Sequence, residues 1–204
     1  MVKKGLNYFS STEQPFESRF SKFRDLLFAP VGSLFSALGV SSNFVSILGL
    51  SMLLGVWFFF VSNPKLASVF LLLYVLFDGI DGCVARRTKT ASNAGGFVDI
   101  VCDQTGMAVV TVLLMANGLI SPLLGGLYIY AYCLMIVVTV ARNILKASPR
   151  WIFRTKYFLF IVYGAWAFNF GAWFRIFFLI ATPLTILFAL IGCFELYRRL
   201  KRVR

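Results

Sequence analysis

Four aspartates occupy one short stretch of an otherwise apolar chain, and their spacing places them on two helical stripes. They are four of the eight acidic residues in the protein. Asp78 and Asp81 stand three positions apart, and Asp99 and Asp103 stand four apart, so each pair shares one face of a helix. A carboxylate at membrane depth costs at least about 2.5–3.5 kcal/mol, so a cluster of four indicates that something is bound there. The stretch therefore predicts one acidic site between two facing helices.

The residue types in this stretch favour oxygen-bound divalent cations and a phosphate-bearing ligand. The chain contains no histidine, which argues against a zinc or haem site. Carboxylates suit Mg²⁺, Mn²⁺ or Ca²⁺, and two such ions can bridge phosphoryl oxygens and activate an attacking hydroxyl. Gly82 and Gly95 let a ligand approach the backbone, and Arg86 offers a planar donor fork. Helix packing alone would explain the glycines but not the four aspartates.

The composition is typical of a polytopic membrane protein. Hydrophobic residues make up 59% of the chain and charged residues only 14%, and the mean hydropathy is +0.82. We therefore predict an all-α bundle that forms a single domain over residues 1–204. Windows of about 20 apolar residues predict six membrane spans, at 42–62, 65–86, 95–117, 121–145, 154–171 and 174–197.

The net charge of +12 reflects membrane topology and does not indicate a nucleic-acid partner. Among the 20 Lys and Arg residues, only Lys65 and Arg175 fall on the predicted outer side. The positive-inside rule then places both termini and the acidic site on the cytoplasmic face. Residues 1–41 form a cytoplasmic juxtamembrane segment, in which Phe16, Phe20 and Phe23 recur at helical spacing. This pattern predicts a basic amphipathic helix on the membrane surface before the first span.

The aspartate stretch resembles a family signature at eight positions. It reads Asp78-x2-Asp81-Gly82-x2-Ala85-Arg86-x8-Gly95-x3-Asp99-x3-Asp103. This pattern is similar to the complete signature of the CDP-alcohol phosphotransferases. An upstream segment, Ser42-Asn43-x2-Ser46, partly matches a PNxxT-like motif of the family and keeps its asparagine. The likeness extends in outline to the whole chain, because members of the phosphatidyltransferase branch are about this size and have six spans.

The resemblance implies a role for each of these residues. Asp78, Asp81 and Asp99 would ligate metal, and Asp103 would ligate a second ion and take the proton from an acceptor alcohol. The CDP portion of the donor would be held by Gly82, Ala85, Arg86, Gly95 and Asn43. The implied reaction is attack of a small polar alcohol on CDP-diacylglycerol, which releases CMP and leaves a phosphodiester. The resemblance also implies Mg²⁺ or Mn²⁺, as two ions, and a homodimer.

Basic residues near the fourth and fifth predicted spans indicate an acceptor that carries a phosphate. Arg142, Arg150, Arg154 and Lys156 could bind such an anion through charge-assisted hydrogen bonds. Positive-inside topology and anionic lipid headgroups explain several of these charges nearly as well. We expect glycerol 3-phosphate or inositol phosphate as the acceptor, with serine and free inositol as the alternatives.

Two other classes of membrane protein also use intramembrane acids. A cation-coupled transporter would bind its ion at such carboxylates, but it usually shows repeated halves and broken helices. An intramembrane prenyltransferase is also rich in aspartate and depends on Mg²⁺, but it usually has more spans and two separated acidic motifs. Release of CMP from CDP-diacylglycerol would distinguish the phosphatidyltransferase from both.

Overall fold

The computed structural model describes residues 26–145 and 154–202, and the regular elements in these two ranges are all helices. The seven helices are α1 (Ala29–Ala37), α2 (Ser42–Phe59), α3 (Pro64–Arg87), α4 (Asn93–Ala116), α5 (Pro122–Ile144), α6 (Lys156–Ala167) and α7 (Phe174–Arg202). This part of the chain therefore has the all-α architecture that the composition predicts.

Five of these helices, α2 to α5 and α7, are long and apolar enough to cross a membrane. The protein is thus an integral, multi-pass membrane protein. The predicted span at 154–171 corresponds to α6, which has only 12 residues. It ends at Ala167 because Asn169 takes a left-handed conformation with φ 65° and the next N–H turns back to the carbonyl of Ala165, as in a Schellman motif. Six spans therefore stay a prediction.

Two further predictions lie beyond what the described residues can test. The amphipathic surface helix with Phe16, Phe20 and Phe23 lies outside the described residues. The side of the membrane that holds the termini and the acidic site also stays a prediction.

Side-chain caps mark the starts of α2, α3 and α5, of which α3 carries Asp78 and Asp81. Ser41, Asn63 and Ser121 precede α2, α3 and α5, and each accepts a backbone N–H from the first turn of its helix. Such caps satisfy N–H groups that have no partner within the helix. Pro64 and Pro122 occupy the first positions of α3 and α5, where the missing N–H costs nothing. Asn63 and Pro64 thereby fix the start of α3 and the position of its aspartates along that helix.

A short turn joins the two helices of the aspartate motif. Lys89 has φ 57°, and the N–H groups of Lys89 and Thr90 return to carbonyls in the last turn of α3. This is the Schellman arrangement, here with a lysine where glycine is usual. The hydroxyl of Ser92 then accepts the N–H of Gly95 at 3.1 Å and starts α4. Because the connection is so short, α3 and α4 are expected to be antiparallel neighbours.

The described residues fall into two compact units, which divide within α4 after Gly106. In the first unit, Val45 of α2 packs with Ile80 and Val84 of α3 to form a buried core. Glycines bring α2 close to α3: a Cβ added at Gly49 would lie 3.0 Å from the Cβ of Phe77. Close approach at small residues is a usual way to hold membrane helices together.

The second unit, which begins at Met107, is organised around aromatic side chains. The Tyr128 ring of α5 is fully buried and lies 6.0 and 5.0 Å from the rings of Phe177 and Phe178 on α7. Its hydroxyl and that of Thr155, which precedes α6, are 2.6 Å apart. Edge-to-face packing of this kind adds to the stability gained from burial.

Candidate active site

Asp81, one of the two aspartates of α3, is tied to α2 by a buried hydrogen bond. Asp81 is 6% exposed and Ser46 is 8% exposed. The hydroxyl of Ser46 donates to Oδ2 of Asp81 at 2.5 Å, and it also lies 3.2 Å from the carbonyl oxygen of Ser42. A serine hydroxyl has a single proton to donate, and the shorter, charge-assisted contact is the stronger one. Ser46 therefore holds one oxygen of Asp81 in a defined position, while Asp78 is half-buried one turn away.

The aspartates of α4 lie beside a contact that joins α4 to α3. Asp103 is 3% exposed and Asp99 is half-buried. The Tyr74 hydroxyl of α3 donates to the carbonyl oxygen of Cys102 at 2.8 Å, so α3 and α4 touch at the residue next to Asp103. The structure thus joins the helices that carry the two aspartate stripes at a point beside Asp103, while the catalytic and metal-binding roles of the aspartates stay predictions.

This donor set suits a hard divalent cation. Partly buried carboxylates that lie near one another repel, and a bound cation removes that repulsion. Within the two described ranges, no three acidic, cysteine or histidine side chains converge closely enough to hold an ion as they stand. The chemistry of the four side chains therefore fits a divalent ion, and binding would require some of them to rotate.

The residues predicted to hold the CDP portion lie at helix ends in the first unit. Ala85 and Arg86 belong to the last two turns of α3, Gly95 to the first turn of α4, and Asn43 to the first turn of α2. Arg86 and Asn43 are exposed and accessible to a ligand. A Cβ built at Gly95 would meet only the Ser92 hydroxyl, at 3.6 Å, so the backbone there is open to close approach. Gly82 is half-buried one residue after Asp81.

Arg142, one of the residues predicted to bind an acceptor phosphate, has an anionic partner within the chain. Its Nη1 lies 2.5 Å from Oε2 of Glu195 on α7, and the two side chains are 11% and 49% exposed. Glu195 therefore balances the charge of Arg142 within the chain. Its role toward an acceptor stays a prediction, and Arg150 lies outside the described residues.

Arg154 and Lys156 lie near a part of α5 that is distant from Arg142. They flank Thr155, whose hydroxyl contacts that of Tyr128. Tyr128 precedes Arg142 on α5 by fourteen residues, which is about 21 Å along a helix. Lys156 is 3% exposed, and its Nζ lies over a neighbouring ring, that of Tyr157. The structure thus does not place Arg154 and Lys156 at the same level of α5 as Arg142.

Two residues beside the acidic site received no role from the sequence. Ser46 belongs to the segment that partly matches the PNxxT-like motif, and Tyr74 lies outside both motifs. Tyr74 precedes Asp78 by four residues and therefore continues the aspartate stripe of α3 by one turn. The Tyr74 hydroxyl donates to a backbone carbonyl. Because every residue has such a carbonyl, the sequence gives no sign of this partner.

Comparison with known proteins agrees with the motif. A family model described as CDP-alcohol phosphatidyltransferase matches residues 40–190, which include α2 to α6 and both aspartate stripes. The chain belongs to the CDP-alcohol phosphatidyltransferase family. The resemblance predicted from the eight signature positions is thereby confirmed.

Two relatives match the chain over part of its length. Archaetidylinositol phosphate synthase of Pyrococcus horikoshii is 32% identical over 91 residues, which are 44% of this chain and 48% of that protein. An uncharacterized protein of Aquifex aeolicus is 34% identical over 87 residues, or 42% of this chain and 44% of that protein. The matched segments thus span about half the length of these curated relatives.

Proposed function

We propose that this phosphatidyltransferase-family protein transfers the phosphatidyl group of CDP-diacylglycerol to a small polar alcohol and releases CMP. The observation that carries the proposal is the contact of α3 with α4 beside Asp103, through Tyr74 and the carbonyl of Cys102, within the region that the family model matches. A lipid donor also accounts for a site built into membrane helices, because the acyl tails can stay in the bilayer while the headgroup reaches the site.

The residues of the site take different roles in this reaction. The acceptor hydroxyl attacks the phosphorus that bears the lipid, the bond from this phosphorus to the CMP oxygen breaks, and CMP leaves with the bonding electrons. Asp103, which is 3% exposed and so shielded from bulk water, takes the proton of the hydroxyl as general base. Arg86 and the open backbone at Gly95 bind and orient the phosphates of CDP.

Divalent ions would complete this site. Asp78, Asp81 and Asp99 would hold one ion, and Asp103 would contribute to a second. Such ions supply electrostatic stabilisation of negative charge on the phosphoryl oxygens. The ion is proposed to be Mg²⁺ or Mn²⁺, on the grounds of the all-oxygen donor set.

We propose further that the acceptor carries a phosphate. One relative is named for the synthesis of archaetidylinositol phosphate, a product that retains a phosphate on inositol. Arg142 is the residue best suited to bind this phosphate. Its partner Glu195 is half exposed, so the Glu195 side chain can rotate into water when a phosphate replaces it at Arg142. Inositol phosphate and glycerol 3-phosphate are the expected acceptors, and serine and free inositol are the alternatives.

A panel of acceptors tests this proposal. The purified protein, in detergent with Mg²⁺, is supplied with CDP-diacylglycerol or CDP-archaeol and with each of the four acceptors, and the lipid product is identified by mass spectrometry. Turnover with a phosphorylated acceptor is expected. Preferential use of serine or free inositol would contradict the phosphate preference and leave the transferase assignment standing, whereas turnover of a prenyl diphosphate would contradict the assignment itself.

The assembly and orientation of the protein are also proposals. A homodimer is expected from the family, and light scattering of the detergent-solubilised protein would measure its mass. The distribution of Lys and Arg supports cytoplasmic termini and a cytoplasmic site. A C-terminal reporter active only outside the cytoplasm should therefore be silent, and an active reporter would contradict this orientation.

A further inference from the structure

Tyr74 makes the contact that joins the two aspartate stripes. It is 3% exposed and lies on α3 one turn before Asp78. Its hydroxyl donates to the carbonyl oxygen of Cys102 at 2.8 Å, and Cys102 immediately precedes Asp103. A carbonyl oxygen has two lone pairs, so it can accept this bond in addition to the usual bond from the helix N–H four residues later.

Gly106 makes room for this contact. It lies four residues after Cys102, and a Cβ built there would overlap the phenol ring of Tyr74. The ring therefore rests directly against the backbone of α4. A buried hydroxyl, a backbone carbonyl and a glycine together hold α3 and α4 at a close distance, one turn from the carboxylates.

Such a contact matters because the four carboxylates repel one another across the two helices. In a membrane, apolar burial does little to hold two helices together, so hydrogen bonds and close packing at small residues must do so. We propose that Tyr74 is a positioning residue, which sets the spacing of the two aspartate stripes and thereby their ability to hold a divalent ion. The kinetic part of this inference rests on the proposed function, but the ion-binding part does not.

The variant Tyr74→Phe tests the hydroxyl while keeping the ring. We expect kcat to fall by about 3- to 20-fold, which is the range that a lost interhelical hydrogen bond in a membrane protein would give. The Mg²⁺ concentration for half-maximal activity should rise, while the KM of the acceptor changes little. The upward shift that Mg²⁺ produces in Tm, measured against EDTA, should shrink in the same variant.

Tyr128→Phe is the matched control. Tyr128 is also a fully buried tyrosine with a hydrogen-bonded hydroxyl, but it lies in the second unit and outside the aspartate motif. Its loss should lower Tm without altering the Mg²⁺ requirement. If the two variants reduce Tm alike and both keep the wild-type Mg²⁺ response, Tyr74 is a packing residue only and the inference is wrong.

A double-mutant cycle tests whether Gly106 acts through Tyr74. Gly106→Ala should weaken the Mg²⁺ response in the wild-type background and much less in a Tyr74→Leu background, because the smaller side chain leaves room for the new methyl group. Gly126→Ala, at a position with no atom within 4 Å of the added Cβ, controls for the substitution itself. Equal effects of Gly106→Ala in both backgrounds would contradict the coupling.

The Tm measurements separate this inference from the proposed function. A wild-type protein that releases no CMP but is stabilised by Mg²⁺, less so after Tyr74→Phe, would refute the proposed reaction and support the positioning role. A wild-type protein whose Tm does not respond to Mg²⁺ or Mn²⁺ would overturn the positioning role.

Discussion

Replacing Ser46 with alanine removes the hydroxyl that holds Asp81, and the structure sets the size of the expected effect. Donor and acceptor are both less than a tenth exposed, and their separation is 2.5 Å. A hydrogen bond to a charged group contributes about 1.5–3 kcal/mol. Because serine and alanine differ by a single oxygen, little cavity cost is added. We expect Ser46→Ala to lower the stability of the site by an amount in this range.

This loss should appear in ion binding. An Asp81 side chain without its donor samples more rotamers, and ordering it again on binding reduces affinity. If the whole of this free-energy loss appears as weaker ion binding, the Mg²⁺ concentration for half-maximal activity rises about 10- to 150-fold, at about 1.4 kcal/mol per factor of ten. Titration of activity with Mg²⁺, paired with isothermal calorimetry of Mn²⁺ binding, measures this change.

Ser46→Thr is the matched control, because threonine keeps the hydroxyl. It should retain a Mg²⁺ requirement close to that of the wild type. The reasoning would be refuted if Ser46→Ala bound the ion and turned over like the wild type, or if Ser46→Thr and Ser46→Ala were equally impaired.

Three further predictions concern the other site residues. Asp103→Asn should reduce turnover by about 10²- to 10⁴-fold, as expected for loss of a general base, while much of the CDP-lipid affinity remains; near-normal turnover would remove Asp103 from the mechanism. Mg²⁺ at a hundredfold excess over its Kd should stabilise the protein by about 2.7 kcal/mol and so raise its Tm. If Mg²⁺ raised the Tm of the variant Asp78→Ala/Asp99→Ala as much as that of the wild type, this would argue against the metal site. Arg142→Ala should raise the KM of a phosphorylated acceptor far more than that of CDP-diacylglycerol, whereas Glu195→Gln, which removes the competing charge, should not raise it. Parallel changes in both KM values for Arg142→Ala would exclude a specific role at the acceptor.

That Asp78 and Asp81 share one helix, and Asp99 and Asp103 the next, could be predicted because helical periodicity is a local property of the chain. The intervals between Asp78 and Asp81, and between Asp99 and Asp103, put each pair on one helix face, and the short turn after α3 makes the two helices neighbours. The eight signature positions also led to the family, which the comparison confirmed. None of these inferences needed knowledge of contacts between distant residues.

The contacts around the site could not be predicted in the same way. Ser46 reaches Asp81 across 35 positions of sequence, and this depends on how α2 is rotated against α3. The Tyr74 hydroxyl donates to a backbone carbonyl, and no pattern of residue types predicts such a partner. The ion pair of Arg142 with Glu195 joins residues more than fifty positions apart, and no local pattern predicts it. The left-handed Asn169 that follows α6 is another feature that a hydropathy window does not register, and the span predicted at 154–171 stays a prediction.

The most direct test of the central claim is the stoichiometry of the products formed from CDP-diacylglycerol. The purified protein is incubated with Mg²⁺ and a phosphorylated acceptor, and CMP and the lipid phosphodiester are quantified together over time. Phosphatidyl transfer predicts one phosphodiester for each CMP, no CMP without acceptor, and loss of both products in Asp103→Asn. Release of CMP without the phosphodiester would indicate hydrolysis, and no release under any of these conditions would contradict the assignment of this site as a phosphatidyltransferase.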